Sequence, residues 1–203
     1  MATLQSLFAR GLHLIDNAQH RIYATRKTRL LGGLRGRVVE IGPGTGLNIP
    51  YLNRSVAYTG LEPNRHLHTA VRAQLRQQHI QGAVHAAPIE ADALPPNSAD
   101  AVISTLVLCS VPDVAAALTS IRRILRPGGR FVFIEHIAAP DATWSRAVQD
   151  GVTPVWHRCF DGCHPNRRTD RFIHEAGFAS VAMEHFEIGV PVVRPHCAGF
   201  ATA

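Results

Sequence analysis

The sequence predicts an α/β protein: a doubly wound, mostly parallel seven-stranded sheet with an N-terminal helix and a cap inserted late in the chain. Three observations predict it. An apolar run, Val38-Val39-Glu40-Ile41, breaks into glycines spaced by two at Gly42, Gly44 and Gly46. A second run, Tyr58-Thr59-Gly60-Leu61, ends in an acid, Glu62, 22 residues after Glu40. Beyond it, strand-like and helix-like segments alternate as far as His136. A continuous apolar run reads as a strand buried on both faces. Alternation with helices stacks such strands in parallel and puts ligands at their carboxyl ends.

The glycine loop is where chemistry enters. Glycine admits positive φ and lets backbone pass close to a ligand. The segment behind it can start a helix, whose free N–H groups suit a polar or anionic group. Glu62 stands about where a Rossmann-like unit keeps its ribose-binding carboxylate. A dinucleotide site wants G-x-G-x-x-G and a pyrophosphate on the helix N-terminus. Here the pattern is E-x-G-x-G-x-G, and a carboxylate at Glu40 would repel a pyrophosphate. It suits a cationic ligand, such as the ammonium or sulfonium of S-adenosylmethionine. A strand-turn-helix with no ligand would use the same glycines; Glu62 and the segments after it argue against that.

At 203 residues, 46% apolar and 18% charged, the chain is long enough for a single domain over 1–203 with a full core. No run approaches the ~18 apolar residues that cross a membrane. The first ten residues lack a charged segment followed by an apolar core, so no signal peptide is expected and the default compartment is the cytoplasm. Four cysteines, Cys109, Cys159, Cys163 and Cys197, do not form the framework of a secreted domain. Cys159-x-x-x-Cys163-His164 resembles half a zinc site, but no second ligand pair follows, so no metal is expected. The net charge of +6 resides in residues 1–37, which hold seven basic residues and one acid, Asp16. A basic patch confined to one segment is no nucleic-acid footprint. It is a solvated helix face, or at most a weak contact with an anionic membrane surface or an acidic partner. No oligomer is specified.

The elements follow in order. Residues 3–31 read as a helix with Leu4, Leu7, Phe8, Leu12, Ile15, Ala18 and Ile22 near one face. It packs on the core, and residues 1–31 serve as a lid. A helix of about two turns should follow the glycine loop and end near Asn53. After the strand Val56–Leu61, Pro63 suits a first helical turn, and that helix runs to about His79. A third strand is expected at Ala83–Ala86, then a loop, Glu90-Ala91-Asp92-Ala93-Leu94-Pro95. Ala101–Val107 is the most apolar strand and should be central. The helix Asp113–Leu125 is closed by Arg126-Pro127-Gly128-Gly129 before a fifth strand, Arg130–His136. Residues 139–168, with Trp144, Trp156, Cys159, Cys163 and interspersed prolines and glycines, read as the cap. A helix at Arg168–Glu175 stops at Gly177, and strands follow at Ser180–Glu187 and Ala198–Ala201.

Glu40–Gly46, Glu62, the Glu90–Pro95 loop and Leu125-Arg126-Pro127-Gly128-Gly129, in that order, resemble a class I S-adenosylmethionine-dependent methyltransferase over residues 36–136. The second half is more specific. Thr105-Leu106-Val107-Leu108-Cys109-Ser110-Val111, Glu135-His136, Thr143-Trp144, Trp156-His157, Phe160-Asp161-Gly162-Cys163 and Arg194-Pro195-His196 resemble the methyltransferase-like 7 group of animal thiol S-methyltransferases. One departure is that those relatives carry a hydrophobic N-terminal anchor, where this chain has a basic amphipathic segment.

The resemblance implies a cofactor site. Gly42, Gly44 and Gly46 pass beneath the methionine part. Glu40 holds local backbone, or the ammonium through water. Glu62 accepts both ribose hydroxyls, since a carboxylate can accept from two donors at once. Pro63, Asn64 and Thr105 belong to the same surface. Glu90 faces the adenine amino group with the Ala91 amide beside it; Asp92 is the alternative neighbour.

The reaction implied is an in-line displacement by a thiolate on a sulfonium methyl. Opposite charges cancel in its transition state, so a dry pocket and alignment supply most of the rate. Little acid–base machinery is needed, because a thiol of pKa ~8.5 is already a few per cent ionised at pH 7. Candidate bases are His136, His157 and Asp161; a strand-end histidine tied to backbone and a turn aspartate are the plainer readings. Trp144, Trp156, Phe160 and Cys163 should wall the acceptor pocket. Cys109 and Cys163 are packing residues rather than nucleophiles, since methyl transfer needs no covalent enzyme intermediate. The expected acceptor is a small thiol or hydrogen sulfide. A phospholipid headgroup nitrogen, a small-metabolite hydroxyl, or binding without catalysis are the alternatives on this fold.

Overall fold

The computed structural model describes residues 4–203, and the helix α1 (Leu4–Leu31) opens it. Within α1 the side chains of Leu4, Leu7, Phe8 and Ile15 lie outside the description, so that part of the expected apolar stripe does too. Seven strands follow: β1 (Arg37–Ile41), β2 (Ala57–Leu61), β3 (Gln81–His85), β4 (Ala99–Thr105), β5 (Leu125–His136), β6 (Ser180–Glu187) and β7 (Pro195–Thr202). Their order across the sheet is β3-β2-β1-β4-β5-β7-β6. β1 to β5 pair in parallel, and β7 runs antiparallel between β5 and β6. The expected fold class is the one observed, with the apolar strand β4 at the centre.

Side chains alternate between two cores, as the strand period requires. Val39, Val102, Phe131 and Phe133 join Leu118 and Ile121 of helix α3 (Val114–Ile124) on one face. Val38, Tyr58, Ile103 and Val132 join Leu31 of α1 and Val71 and Leu75 of helix α2 (His68–Gln78) on the other. The strand order reverses between β1 and β4. Connections leave in opposite directions there, and the carboxyl ends of those two strands open a crevice.

Three local expectations are corrected. The glycine loop leads to a single 3-10 turn, Ile49–Tyr51, instead of two helical turns. Asn53 ends it by accepting from the Ser55 amide and hydroxyl at 2.9 and 2.7 Å, a local turn that competes with helix. Pro63 does not open a helix either. The Asn64 side chain caps a 3-10 turn, Arg65–Leu67, and α2 starts only at His68. Arg126-Pro127-Gly128-Gly129 lies inside β5, where Gly128 takes φ 74° and the pairing with β4 shifts register. The glycine is absorbed within an irregular stretch of the ladder, where Ala99 and Ala101 face Leu125 and Arg130.

The 139–168 segment contains helix α4 (Trp144–Cys159), capped by the Thr143 hydroxyl, which accepts from the Arg146 amide. One of its side chains is buried, Gln149. That amide group accepts from Ala139 N at 2.7 Å and donates to Val192 O at 3.0 Å, tying α4 to the end of β5. A seven-residue helix α5 (Thr169–Glu175) completes the fold and stops before Gly177 at φ 76°. Among the described residues, no helix is long and apolar enough to cross a membrane.

Candidate active site

A cavity of about 280 Å³ opens at the β1/β4 reversal. Its floor is the glycine loop. Gly42 has φ 53° and lies against Val107, where a Cβ would come within 2.7 Å of Cγ2. Gly44 has φ 58°, and a Cβ there would meet only Leu12, at 3.8 Å. The first glycine is thus required by packing, and the second leaves the cavity side open.

Glu40, Glu62 and Glu90 stand on the walls. Glu62 accepts from Gly44 N at 3.0 Å and Asn64 N at 2.9 Å, one amide on each carboxylate oxygen. Each oxygen retains a further lone pair. Burial raises its pKa, and the two amides oppose the shift. Glu40 accepts from the Tyr58 hydroxyl at 2.7 Å and from Asn48 Nδ2 at 2.8 Å, so it holds side chains rather than backbone. Its pKa is also raised by burial. Asn48 Nδ2 reaches Thr105 Oγ1 as well, at 2.9 Å, which joins β1 to β4 across the crevice. The Asn48 Oδ1 and Glu90 Oε1 oxygens are buried with no protein partner, and both residues line the cavity.

Of the predicted cofactor contacts, Pro63, Asn64 and Thr105 line the cavity, and Ala91 does not. Its amide closes a 3-10 turn on Pro88 O at 3.3 Å. Asp92 points elsewhere, paired with Arg123 at 2.8 Å. The cap residues disperse. Asp161 lines the cavity, close enough that its charge adds to the rise in the Glu62 pKa. His157 is exposed, its ring 4.6 Å from that of His164. Trp144 is 82% exposed at the first turn of α4. Trp156 and Phe160 stack on each other at 4.2 Å and are absent from the cavity wall. His136 and Cys163 are buried behind it, 3.2 Å apart. The expected aromatic walls are thus replaced by Leu12, Leu106, Val107 and Val111. The sequence predicts aromatic residues facing an acceptor pocket, but α4 buries a glutamine and its tryptophans do not line the cavity.

Several residues went unassigned in the sequence. Lys27 is 1% exposed and lines the cavity beside Leu47 O at 3.3 Å. Burial lowers its pKa to about 8, while Glu40 and Asp16 hold it up. Its signal was the four-residue spacing from Tyr23 and Leu31, both buried on the same face of α1. Glu135 is fully buried, accepting from Ser104 Oγ at 2.5 Å and Val107 N at 3.1 Å. Burial pushes its pKa up to about 7, against those two donors. Glu135 thereby anchors the turn in which Leu106, a cavity residue, holds φ 58°. Such a conformation persists in a leucine only where neighbours impose it.

The family profile described as "Methyltransferase domain" matches residues 39–133. Thiol S-methyltransferase TMT1A of Homo sapiens is 34% identical over 169 residues, 81% of this chain and 69% of that protein. Thiol S-methyltransferase TMT1B of Mus musculus is 32% identical over 183 residues, 88% of this chain and 74% of that protein. Among solved structures, geranyl diphosphate C-methyltransferase of Streptomyces coelicolor, in complex with S-adenosyl-L-homocysteine, superposes with a TM-score of 0.72 at 13% identity, covering 90% of this chain and 80% of that one. Together these fit the cavity. Its carboxylates have lone pairs to spare, and its buried oxygens lack protein donors of the kind that S-adenosylmethionine supplies. The chain is a methyltransferase that uses S-adenosylmethionine, and it belongs to the thiol S-methyltransferase family.

Proposed function

We propose that this protein S-methylates small apolar thiols, hydrogen sulfide being the smallest of the class. The observation that carries the reading is the division of the cavity along the sheet. The acids come from the β1, β2 and β3 ends, as Glu40, Glu62 and Glu90. The segment after β4 contributes Leu106, Val107, Val111 and Pro112. One side suits a polar, cationic cofactor and the other a small apolar acceptor.

S-adenosylmethionine supplies a sulfonium methyl group. Glu62 accepts from the ribose hydroxyls with its spare lone pairs, and Glu90 Oε1 accepts from the adenine amine. Gly42 and Gly44 let the backbone run beneath the methionine part, and Asn48 Oδ1 accepts from its ammonium. The apolar wall keeps water from the sulfur nucleophile, which favours a transition state in which charge disappears. Asp161 is the one candidate base that lines the cavity, and it takes the thiol proton at its carboxylate. Residues 1–31 act as a lid, supported by Leu12, Asp16 and Gln19 at the cavity. Residues 139–168 act as a cap through Asp161. A cytoplasmic protein with weak membrane contact suits a basic segment whose charges are partly used internally. Arg26 and Arg29 pair with Glu184 at 2.9 and 2.6 Å, and Lys27 is buried.

The test is transfer of labelled methyl from S-adenosylmethionine to a panel of alkyl and aryl thiols, sulfide, phenols and phosphatidylethanolamine liposomes. Label in thiols or sulfide supports the reading. Label in lipid or phenol alone replaces it, and cofactor binding without transfer to any acceptor leaves a binding module.

A further inference from the structure

Behind the cavity wall, three buried side chains converge from three distant segments. Cys109 lies after β4, His136 ends β5, and Cys163 follows α4. Their ligand atoms all lie within 4.8 Å of one another. Cys163 Sγ is 3.2 Å from His136 Nε2. We propose that these residues form a binding site for a thiophilic divalent cation of the Zn²⁺ type, with three protein ligands.

The donor set is the first argument. Two thiolates and an imidazole select a soft or borderline ion and disfavour calcium or magnesium. Distances are the second. Metal–ligand bonds of about 2.0–2.3 Å in a tetrahedron separate ligand atoms by about 3.5–3.8 Å. The 3.2 Å His136–Cys163 contact and the 4.8 Å ceiling on the other separations bracket that range, so an ion needs side-chain shifts on the order of 1 Å. The surroundings are the third. Trp156 Nε1 donates to Cys163 Sγ at 3.3 Å, and Ser110 Oγ lies 3.6 Å from Cys109 Sγ. Donors aimed at ligand sulfurs are what metal thiolates commonly have around them. His136 turns Nε2 toward the sulfurs, 3.2 Å from Cys163 Sγ. Its Nδ1 is buried without a protein partner, so a non-protein acceptor would have to orient the ring of a ligating histidine.

The Cys159/Cys163/His164 spacing pointed to a different set. Cys159 is exposed, and His164 Nδ1 sits by Cys109 O at 3.3 Å and by the Arg167 guanidinium at 3.1 Å. The tertiary fold, rather than local spacing, assembles the ligands. One position of the tetrahedron goes to a non-protein ligand. The ion staples the loop that carries Asp161 to the loop that carries Ser110 and Val111, so it braces the acceptor side of the cavity. Binding displaces any thiol protons to solvent.

The test uses the full chain, purified under reducing conditions and supplied with zinc. Metal analysis should find about one zinc per chain. Cys109→Ser, Cys163→Ser and His136→Gln should each lower occupancy severalfold, while Cys159→Ser keeps it. Replacement by Co²⁺ in the wild-type protein should give the intense near-ultraviolet thiolate-to-cobalt band of a tetrahedral site, a readout that needs no variant to fold. Chelation should raise KM for the acceptor and leave cofactor affinity within about twofold. A wild-type protein with no more zinc than the Cys109→Ser/Cys163→Ser double variant would overturn the proposal. So would a cobalt spectrum without the thiolate band, or a reduced, zinc-supplied protein whose intact mass shows a Cys109–Cys163 disulfide.

Discussion

The Tyr23 hydroxyl on α1 lies 2.8 Å from His196 Nε2 on β7, a buried hydrogen bond between residues 173 apart in the chain. The other ring nitrogen, Nδ1, lies 3.2 Å from Arg194 O, which can only accept. The proton therefore sits on Nδ1, and Tyr23 donates to Nε2. With Arg26 and Arg29 on Glu184, this bond holds the first helix to the far edge of the sheet.

Tyr23→Phe should lower unfolding stability by about 1–3 kcal/mol, because it strands the His196 acceptor in a buried place. Equilibrium urea unfolding at pH 7.5 measures this. A loss within error would mean that water replaces the hydroxyl.

Burial lowers the His196 pKa from 6.5 to about 4. The unfolded chain then binds the proton first as pH falls. The stability this group confers is complete above about pH 6.5 and lost progressively down to about pH 4, by about 3 kcal/mol in all. His196→Gln should be less stable at pH 7.5 yet lose less on acidification than the parent. Chemical denaturation at pH 7.5 and 4.5 compares the losses, and equal losses would assign acid sensitivity to other groups.

Two glycines in one loop should respond differently to alanine. Gly42→Ala adds a Cβ against Val107 at 2.7 Å as well as a strained φ of 53°. It should cost at least about 2 kcal/mol in stability. Gly44→Ala meets only Leu12, at an ordinary 3.8 Å, and should cost about 1–2 kcal/mol from its backbone, while weakening cofactor binding more than its stability loss suggests. Thermal unfolding and calorimetric titration of both variants separate the effects.

Glu62→Ala should weaken S-adenosylmethionine binding by about 1.5–3 kcal/mol, the worth of hydrogen bonds to a charged group. It should also raise amide exchange at Gly44 and Asn64, whose N–H groups lose their acceptor. Unchanged affinity by calorimetry would remove Glu62 from the ribose.

Asp161→Asn should depress kcat/KM more for an alkyl thiol of pKa near 10 than for an aryl thiol ionised at neutral pH. A positioned base contributes about 10²–10⁴-fold where it is needed. Rates for both thiols across pH 6–9 check it. Equal losses would make Asp161 a shape residue, and lost cofactor affinity would place it on the Glu62 side.

The sequence alone determined the sheet, its doubly wound class and the acids that line one side of the cavity. Those features are local. Val38 to Glu62 is one continuous strand-loop-strand whose apolar runs, glycines and terminal acid each state their role within a few residues. The tertiary structure decided the rest. Lys27 counted as one basic residue among seven until the helix face it shares with Tyr23 and Leu31 was buried. The cap aromatics read as pocket walls because nothing local shows which way a helix will turn. The packing of Gln149 against the end of β5 turned Trp144 to solvent and left Asp161 at the cavity. Cys109, His136 and Cys163 meet only because parallel strands bring distant loops to one end of the sheet. That end is where side chains of unrelated sequence position become neighbours.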